Sequence, residues 1–433
     1  MNKLSLLVLL IMVASCRTVP DKETGQSRSN DQIEAFPYSI TKDARNRDLS
    51  AAMQRSFEEY PSPFLSENEL YTQFRYSKIT GFDYHELDGT ITRRDPSKII
   101  VEDGKYYIWY TKRHTSQKPI GNVFSAEYQN TPPEEIPWND TIPSVDWDLA
   151  EIWYATSEDG FHWEEQGVAV KRPAKPIPGW RSVATPDILK FKGKYYLYYQ
   201  AFVEAPGTRG DYCPIGVSYA DSPNGPWTTH SEVAVDTGAR GAWDQYAVQD
   251  PTPLVHDGKV YIYYKGAFNR PHTVWVALGL ATCADPLGPF EKHAQNPVIN
   301  SGHEVCLFPF KKGVAGFVIT DGNEHFTIQY AEDWVNFKIA SITEMMPLGG
   351  NVFAPDAFED NGNGRGVNWG LCFFRAPNRA CYLARFDCDL SLDLHDPQMK
   401  RNQYPIDPDY YFKHGLNAKQ RERIAQQNET YTR

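Results

Sequence analysis

From residue 97 onward the chain alternates short β-rich runs with tight polar turns. One pattern recurs five times: an apolar stretch, a turn carrying glycine, then a run rich in Tyr, Ile, Val or Phe. The copies occupy residues 97–110, 186–199, 252–264, 307–320 and 355–374, with turn glycines Gly104, Gly193, Gly258, Gly313 and Gly364. Asp-Gly or Lys-Gly between such runs predicts a hairpin, because glycine accepts the positive φ that these turns need. Most copies lead into a second β pair, at 151–163, 215–227, 276–290 and 326–337. Each unit therefore predicts four strands. The wide first gap holds a polar, Pro-rich insertion over 114–147, which reads as loop. Four-stranded units repeating at this length predict an all-β fold, a five-bladed β-propeller. A β-sandwich would supply as many strands but would not explain the repeat.

The flanks follow other periods. Residues 46–60 and 66–76 predict two short helices separated by Pro61 and Pro63, with Ser50 and Ser66 as N-caps and Glu69 completing a capping box. Helices this short cannot bury an apolar face alone, so they need a partner surface. Residues 417–427 predict a charged C-terminal helix. At the other end Lys3 precedes the apolar run 4–14, and Val13-Ala14-Ser15-Cys16 follows. This arrangement resembles the lipobox of bacterial lipoproteins, which implies a lipid-modified Cys16 and an exported protein held on a bacterial membrane, at the periplasmic or cell-surface side. The organisation expected is a signal peptide over 1–15, a flexible tether over 16–45, a helical segment over 46–80, the propeller over 81–390 and a C-terminal extension over 391–433.

Composition narrows the function. Lys and Arg number 44 against 55 Asp and Glu, a formal net charge of −11. Nucleic acid and anionic membrane surfaces offer such a chain no long-range attraction, so membrane contact is expected through the lipid anchor alone. The apolar run 4–14 is too short to span a bilayer. Beyond Cys16, six cysteines remain, with no C-x-x-C pair, and are read as buried free thiols.

Acids recur at one place in each repeat. Asp95, Asp187, Asp250, Glu304 and Asp356 stand six to nine residues before the five turn glycines. In a propeller these positions converge at one mouth of the central channel. Any one of them could simply cap a turn. A matched set is costly to hold ionised without a task or a cation to share. Several carboxyls in one pocket are what glycoside hydrolysis needs: one activates water or attacks, and a group of raised pKa protonates the leaving oxygen. His303, beside Glu304, titrates in the range that suits the acid, and a carboxylate-rich pocket would raise its pKa. Trp147, Trp180 and Trp243 lie in loop-like stretches, where rings can stack on sugar faces.

Taken together these features resemble glycoside hydrolase family 117, the exo-acting α-1,3-(3,6-anhydro)-L-galactosidases, also called neoagarobiose hydrolases. Ser50-Ala51-Ala52-Met53-Gln54-Arg55 matches the family's S-x-A-x-x-R motif, and Arg94-Asp95-Pro96, Gln249-Asp250-Pro251 and Gly302-His303-Glu304 look like its active-site segments. The resemblance implies an inverting hydrolase that releases 3,6-anhydro-L-galactose from the non-reducing end of neoagaro-oligosaccharides. Asp95 would be the general base, His303 the general acid, and Asp250 and Glu304 pocket carboxylates. Arg94, Asp187, Gln249 and Trp147 would contact substrate. The resemblance also implies a divalent cation near the propeller axis, with unassigned ligands, and a homodimer that exchanges the helical segment. Two other readings compete: a related five-bladed arabinan-degrading glycosidase using Asp95, Asp187 and Asp250, and a lectin-like, non-catalytic propeller.

Overall fold

The computed structural model describes residues 48–57, 69–121, 132, 135, 139–206, 212–267, 276–303, 305–321, 324–376, 380–393, 399 and 422. The lipidation signal at Cys16, the tether, Glu304 and nearly all of the C-terminal extension, including the helix expected at 417–427, lie outside the described residues.

The chain is nearly all β. A first strand, β1 (Arg75–Lys78), precedes a five-stranded sheet of β2 (Ile91–Arg94), β3 (Ile100–Glu102), β4 (Lys105–His114), β5 (Glu151–Ser157) and β6 (Glu164–Val170). A four-stranded sheet follows, of β7 (Ser182–Phe191), β8 (Lys194–Phe202), β9 (Ile215–Ala220) and β10 (Thr228–Thr229). The next has β11 (Ala247–His256), β12 (Lys259–Ala267), β13 (Val276–Cys283) and β14 (Glu291–Lys292). The last, of eight strands, has two parts. One contains β15 (Cys306–Lys311), β16 (Gly313–Asp321), β17 (Glu324–Ala331) and β18 (Lys338–Ile342). The other contains β19 (Asn351–Val352), β20 (Gly364–Arg375), β21 (Cys381–Ser391) and β1. The two parts are hydrogen-bonded to each other where Phe310 and Lys311 pair with Arg365 and Gly364.

The repeat reading is accurate for the first three turns. Asp103-Gly104, Lys192-Gly193 and Asp257-Gly258 all have positive φ at both residues, which matches the right-handed twist of the flanking strands. It fails for the last two. Gly313 opens β16 and Gly364 opens β20, and neither is a turn residue. A Cβ at Gly313 would sit 2.1 Å from the Ala331 carbonyl oxygen, and one at Gly364 would sit 2.3 Å from the Pro309 carbonyl carbon. Close backbone approach, not φ, demands glycine there.

The first strands of the successive units stand side by side. β7 packs against β4 and β11, β11 against β15, and β15 against β19, while Ile99 N–H donates to the Val352 carbonyl at 3.0 Å. Alternating buried Tyr, Ile, Leu and Val between neighbouring sheets supply the apolar contacts that hold them, for example Tyr198, Val217, Val248 and Ile262.

The N-terminal segment differs from its expected form. A helix, α1 (Ala51–Phe57), is seven residues long. Residues 58–68 lie outside the described residues, and the chain from Tyr71 runs without helix into β1. β1 pairs antiparallel with β21, Arg75 opposite Asp387 and Lys78 opposite Ala384. An edge strand's bare N–H and C=O groups outweigh the local helix pattern, because pairing satisfies them. Phe74 and Tyr76 then seat their rings against Phe317, Phe386 and Phe374.

α1 is held by the residues of the S-x-A-x-x-R motif. The Ser50 hydroxyl donates to the Pro297 carbonyl at 2.6 Å and accepts from Met53 N–H at 3.3 Å, so one side chain caps the helix and ties it down. Ala52 is fully buried. Arg55 forms an ion pair with buried Asp321 at 2.7 Å and donates to the Phe337 carbonyl at 2.6 Å.

Candidate active site

Three kinks organise the site. Asp95, Thr185 and Asp250 each precede a proline, and each has φ near +50°: 50°, 47° and 51°. Left-handed backbone costs a non-glycine residue roughly 1–3 kcal/mol, and such strain concentrates at functional sites. The strand register slips at the second and third kinks, between Ala184 and Asp187 and between Gln249 and Thr252. These slips re-aim the side chains that follow.

The Asp95 carboxylate is asymmetric. Its Oδ2 accepts from Arg94 Nε at 2.7 Å, from the Thr185 hydroxyl at 3.2 Å and from the Thr111 hydroxyl at 3.4 Å. Its Oδ1 is buried and has no hydrogen-bond partner. Arg94 is itself buried, with its guanidinium between the Trp147 and Phe373 rings at 4.5 and 4.4 Å. Burial is the largest single influence and would lower the Arg94 pKa, but the charge and hydrogen bond of Asp95 together with Cys381 and Asp146 outweigh it, and the net shift is upward.

Asp250 is also buried. Its Oδ1 accepts from Gln200 Nε2, and its Oδ2 pairs with Lys265 Nζ. Gln249 is buried one residue before it and faces Lys265 in the strand register. Desolvation raises the Asp250 pKa against the pull of Lys265, and the negative charge of Asp95 raises it further. The two carboxyls thus lie within electrostatic reach of each other.

His303 joins the same hollow. The residue is exposed to solvent and lies within electrostatic reach of Lys265, Arg94 and Arg375. Its enclosure, followed by the positive charges of Lys265, Arg94 and Arg375, pushes its pKa down to about 3. Because the residue is exposed, the three cations are the firmer cause. The expectation of a raised His303 pKa is therefore corrected: the shift is downward, with burial and the positive charges of Lys265, Arg94 and Arg375 as its causes.

The structure does not gather all five acids. Asp187 accepts from the Lys98 and Ile188 N–H groups at 2.8 and 2.9 Å, and its other oxygen pairs with Lys98 Nζ. This fully committed carboxylate locks the first sheet to the second. Burial raises its pKa and Lys98 opposes that rise. Asp356 is bound to Arg365 at 2.8 Å. Of the predicted substrate contacts, Arg94, Trp147 and Gln249 fall beside the pair of carboxylates.

Sequence reading missed Thr185, Thr111, Gln200, Lys265 and Arg375. For Thr185 a signal existed: Thr185-Pro186 stands eight residues before Gly193, as Asp250-Pro251 stands before Gly258. Seeking an acid at each position had selected Asp187 instead. The others lie on second strands or distant segments and leave no local pattern.

The resemblance had suggested a divalent cation near the axis. Among the described residues, one group has metal-ligand spacing, His256, Asp257 and Asp360, and it sits at the turn between β11 and β12. Around the Asp95–Asp250 hollow the described carboxylates already face protein cations, leaving Asp95 Oδ1 as the one uncommitted oxygen of that pair. Among the described residues that donor set does not fit a divalent metal.

Comparison with known proteins agrees with this picture. Residues 141–277 match the family described as glycosyl hydrolases family 43. No curated protein sequence matches. A solved structure of a family 117 glycoside hydrolase produced by the marine bacterium Zobellia galactanivorans is 56% identical, covering 80% of this chain and 98% of that one, with a TM-score of 0.70. Another, a glycoside hydrolase at 12% identity, covers 79% of this chain and 96% of that one with a TM-score of 0.52, a likeness of fold alone. With that identity over nearly the whole of the Zobellia enzyme, and with the strained acids Asp95 and Asp250 at one hollow, the chain belongs to glycoside hydrolase family 117.

Proposed function

We propose that this protein is an exo-acting, inverting glycosidase that releases 3,6-anhydro-L-galactose from the non-reducing end of neoagaro-oligosaccharides. The single observation that carries the reading is the divided carboxylate of Asp95. Three donors hold Oδ2 in place, while Oδ1 is buried and unpartnered. An unpaired buried acceptor costs about 1–3 kcal/mol, and a substrate-held water would relieve that cost by donating to it. Asp95 Oδ1 then draws a proton from this water as it attacks the anomeric carbon from the face opposite the leaving group. Asp250, fixed by Lys265 and Gln200, takes sugar hydroxyls. Trp147, which already stacks on Arg94, offers ring surface to the sugar's C–H face.

His303 is the candidate acid. Its proton is disfavoured by the surrounding protein, so the bound substrate must offset the nearby cations before it can donate to the leaving oxygen. Inversion also requires a separation of roughly 6.5–9.5 Å between base and acid, leaving room for the water. Glu304, next in sequence, remains a pocket carboxylate in this reading.

The closed order of first strands, ending in the Ile99–Val352 hydrogen bond, supports a five-bladed propeller with β1 completing the last blade. The further assignments are export, anchorage through Cys16 on the periplasmic or cell-surface side, and a homodimer that exchanges the α1 segment. The test is incubation of the protein with neoagarobiose and with arabino-oligosaccharides, following the first-formed anomer by NMR. Release of anhydrogalactose with inverted configuration supports the reading. Release of arabinose, or retention of configuration, overturns it, and binding without release indicates a lectin.

A further inference from the structure

Two arginines lie against one aromatic ring at the hollow. Arg94 lies over the Phe373 ring at 4.4 Å and Arg375 lies over the same ring at 5.8 Å. Arg94 is 5% exposed, its Nε is given to Asp95, and its Nη1 is buried with no hydrogen-bond partner. Arg375 is 52% exposed, and its ion-pair contact among the described residues is Asp146 at 3.9 Å, beyond hydrogen-bonding range. The neighbouring acids are thus turned to other work or too distant to saturate the pair. Lys265, the third cation facing His303, is committed to Asp250.

We propose that Arg94 and Arg375 form a subsite for an anionic substituent on the sugar chain, a sulfate ester or a carboxylate, next to the bond that is cleaved. The inference rests on the glycosidase reading and narrows its substrate class. A neutral hydroxyl could fill Arg94 Nη1, but it would gain nothing from the Arg375 charge. A planar guanidinium presents paired donors that suit the oxygens of sulfate or carboxylate, and contact with one ring keeps both groups at the same place. The same anion would offset two of the three cations that keep the His303 proton away, joining recognition to the acid step.

The first experiment uses the full chain and inorganic sulfate as probe. Sulfate should raise the thermal midpoint above that in chloride at equal ionic strength, and Arg375→Met should remove this rise. The second measures kcat/KM on neutral, sulfated and uronate-bearing neoagaro-oligosaccharides. A charge-assisted hydrogen bond is worth about tenfold or more in discrimination, so the anionic-to-neutral ratio should fall by about that factor in Arg375→Met. Preference for the sulfated or the uronate-bearing oligosaccharide identifies the source of the anion. No sulfate effect together with an unchanged ratio overturns the subsite. Failure to cleave any oligosaccharide overturns the hydrolase reading instead, and the sulfate measurement still decides the subsite by itself.

Discussion

Changing Asp95 to Asn separates its chemical role from its structural one. The amide oxygen can take the place of Oδ2 and keep Arg94, Thr185 and Thr111 as donors. The amide nitrogen then occupies the place of Oδ1, where the native oxygen has no partner to lose. Charge assistance from Arg94 is weakened, by about 1–2 kcal/mol, and the cost of burying a carboxylate is relieved in part. The net change in stability should be within about 2 kcal/mol, a drop of a few degrees in midpoint for a chain of this size. Catalysis should suffer far more. A general base contributes roughly 10²–10⁴ in rate, or about 3–5 kcal/mol in the barrier, and an amide cannot supply it. Anhydrogalactose release from neoagarobiose and thermal unfolding, measured on the same preparation, decide between the two roles. If Asp95→Asn keeps more than about a tenth of kcat/KM while remaining folded, Asp95 is not the base.

Arg55→Ala should destabilise the protein by roughly 3–5 kcal/mol, because it strands the fully buried Asp321 carboxylate. Denaturant unfolding measures the loss, and a change below 1 kcal/mol would show that α1 is not held by this pair. Arg93, Lys112 and Tyr110 surround Glu165; burial opposes them, yet its pKa is depressed to about 2. Its stabilising contribution is therefore complete above pH 4.5 and is lost as pH falls toward 2; Glu165→Gln should flatten that part of the stability–pH curve, and an unchanged curve would refute the assignment. If His303 donates the proton, its pKa of about 3 in the free enzyme means that kcat/KM should decline as pH rises above about 3. A kcat/KM profile that peaks above pH 7 would exclude it as the acid.

Much of the fold was legible because its signals are local. Asp103-Gly104, Lys192-Gly193 and Asp257-Gly258 declare their turns by residue type, and the tyrosine-rich runs beside them declare the strands. The segment ending at Tyr76 was misread because its fate depends on β21, more than 300 residues away. Asp95 and Asp250 were visible in the candidate site as acids before prolines at matched places. Their partners were not. Gln200 and Lys265 are remote in sequence from Asp95 and reach the hollow only after their strands pair. The direction of the His303 pKa was unreadable for the same reason, since it depends on cations contributed by three separate strands.

The three kinks show how one backbone position serves two purposes. Asp95, Thr185 and Asp250 share a positive φ and a following proline, so the chain presents three side chains at equivalent places in three successive units. Two are carboxyls, and their proximity raises the Asp250 pKa. The third is a hydroxyl that donates to Asp95, while its own N–H donates to Thr111 at 2.7 Å, which steadies the same carboxylate. A third acid at Thr185 would add like-charge repulsion beside Asp95 and would remove the donor that turns Oδ2 away. Asp187, two residues on, pairs with Lys98 instead. The repeat thus supplies the geometry three times, and side-chain chemistry decides which copies bear a reactive charge and which copy aims it.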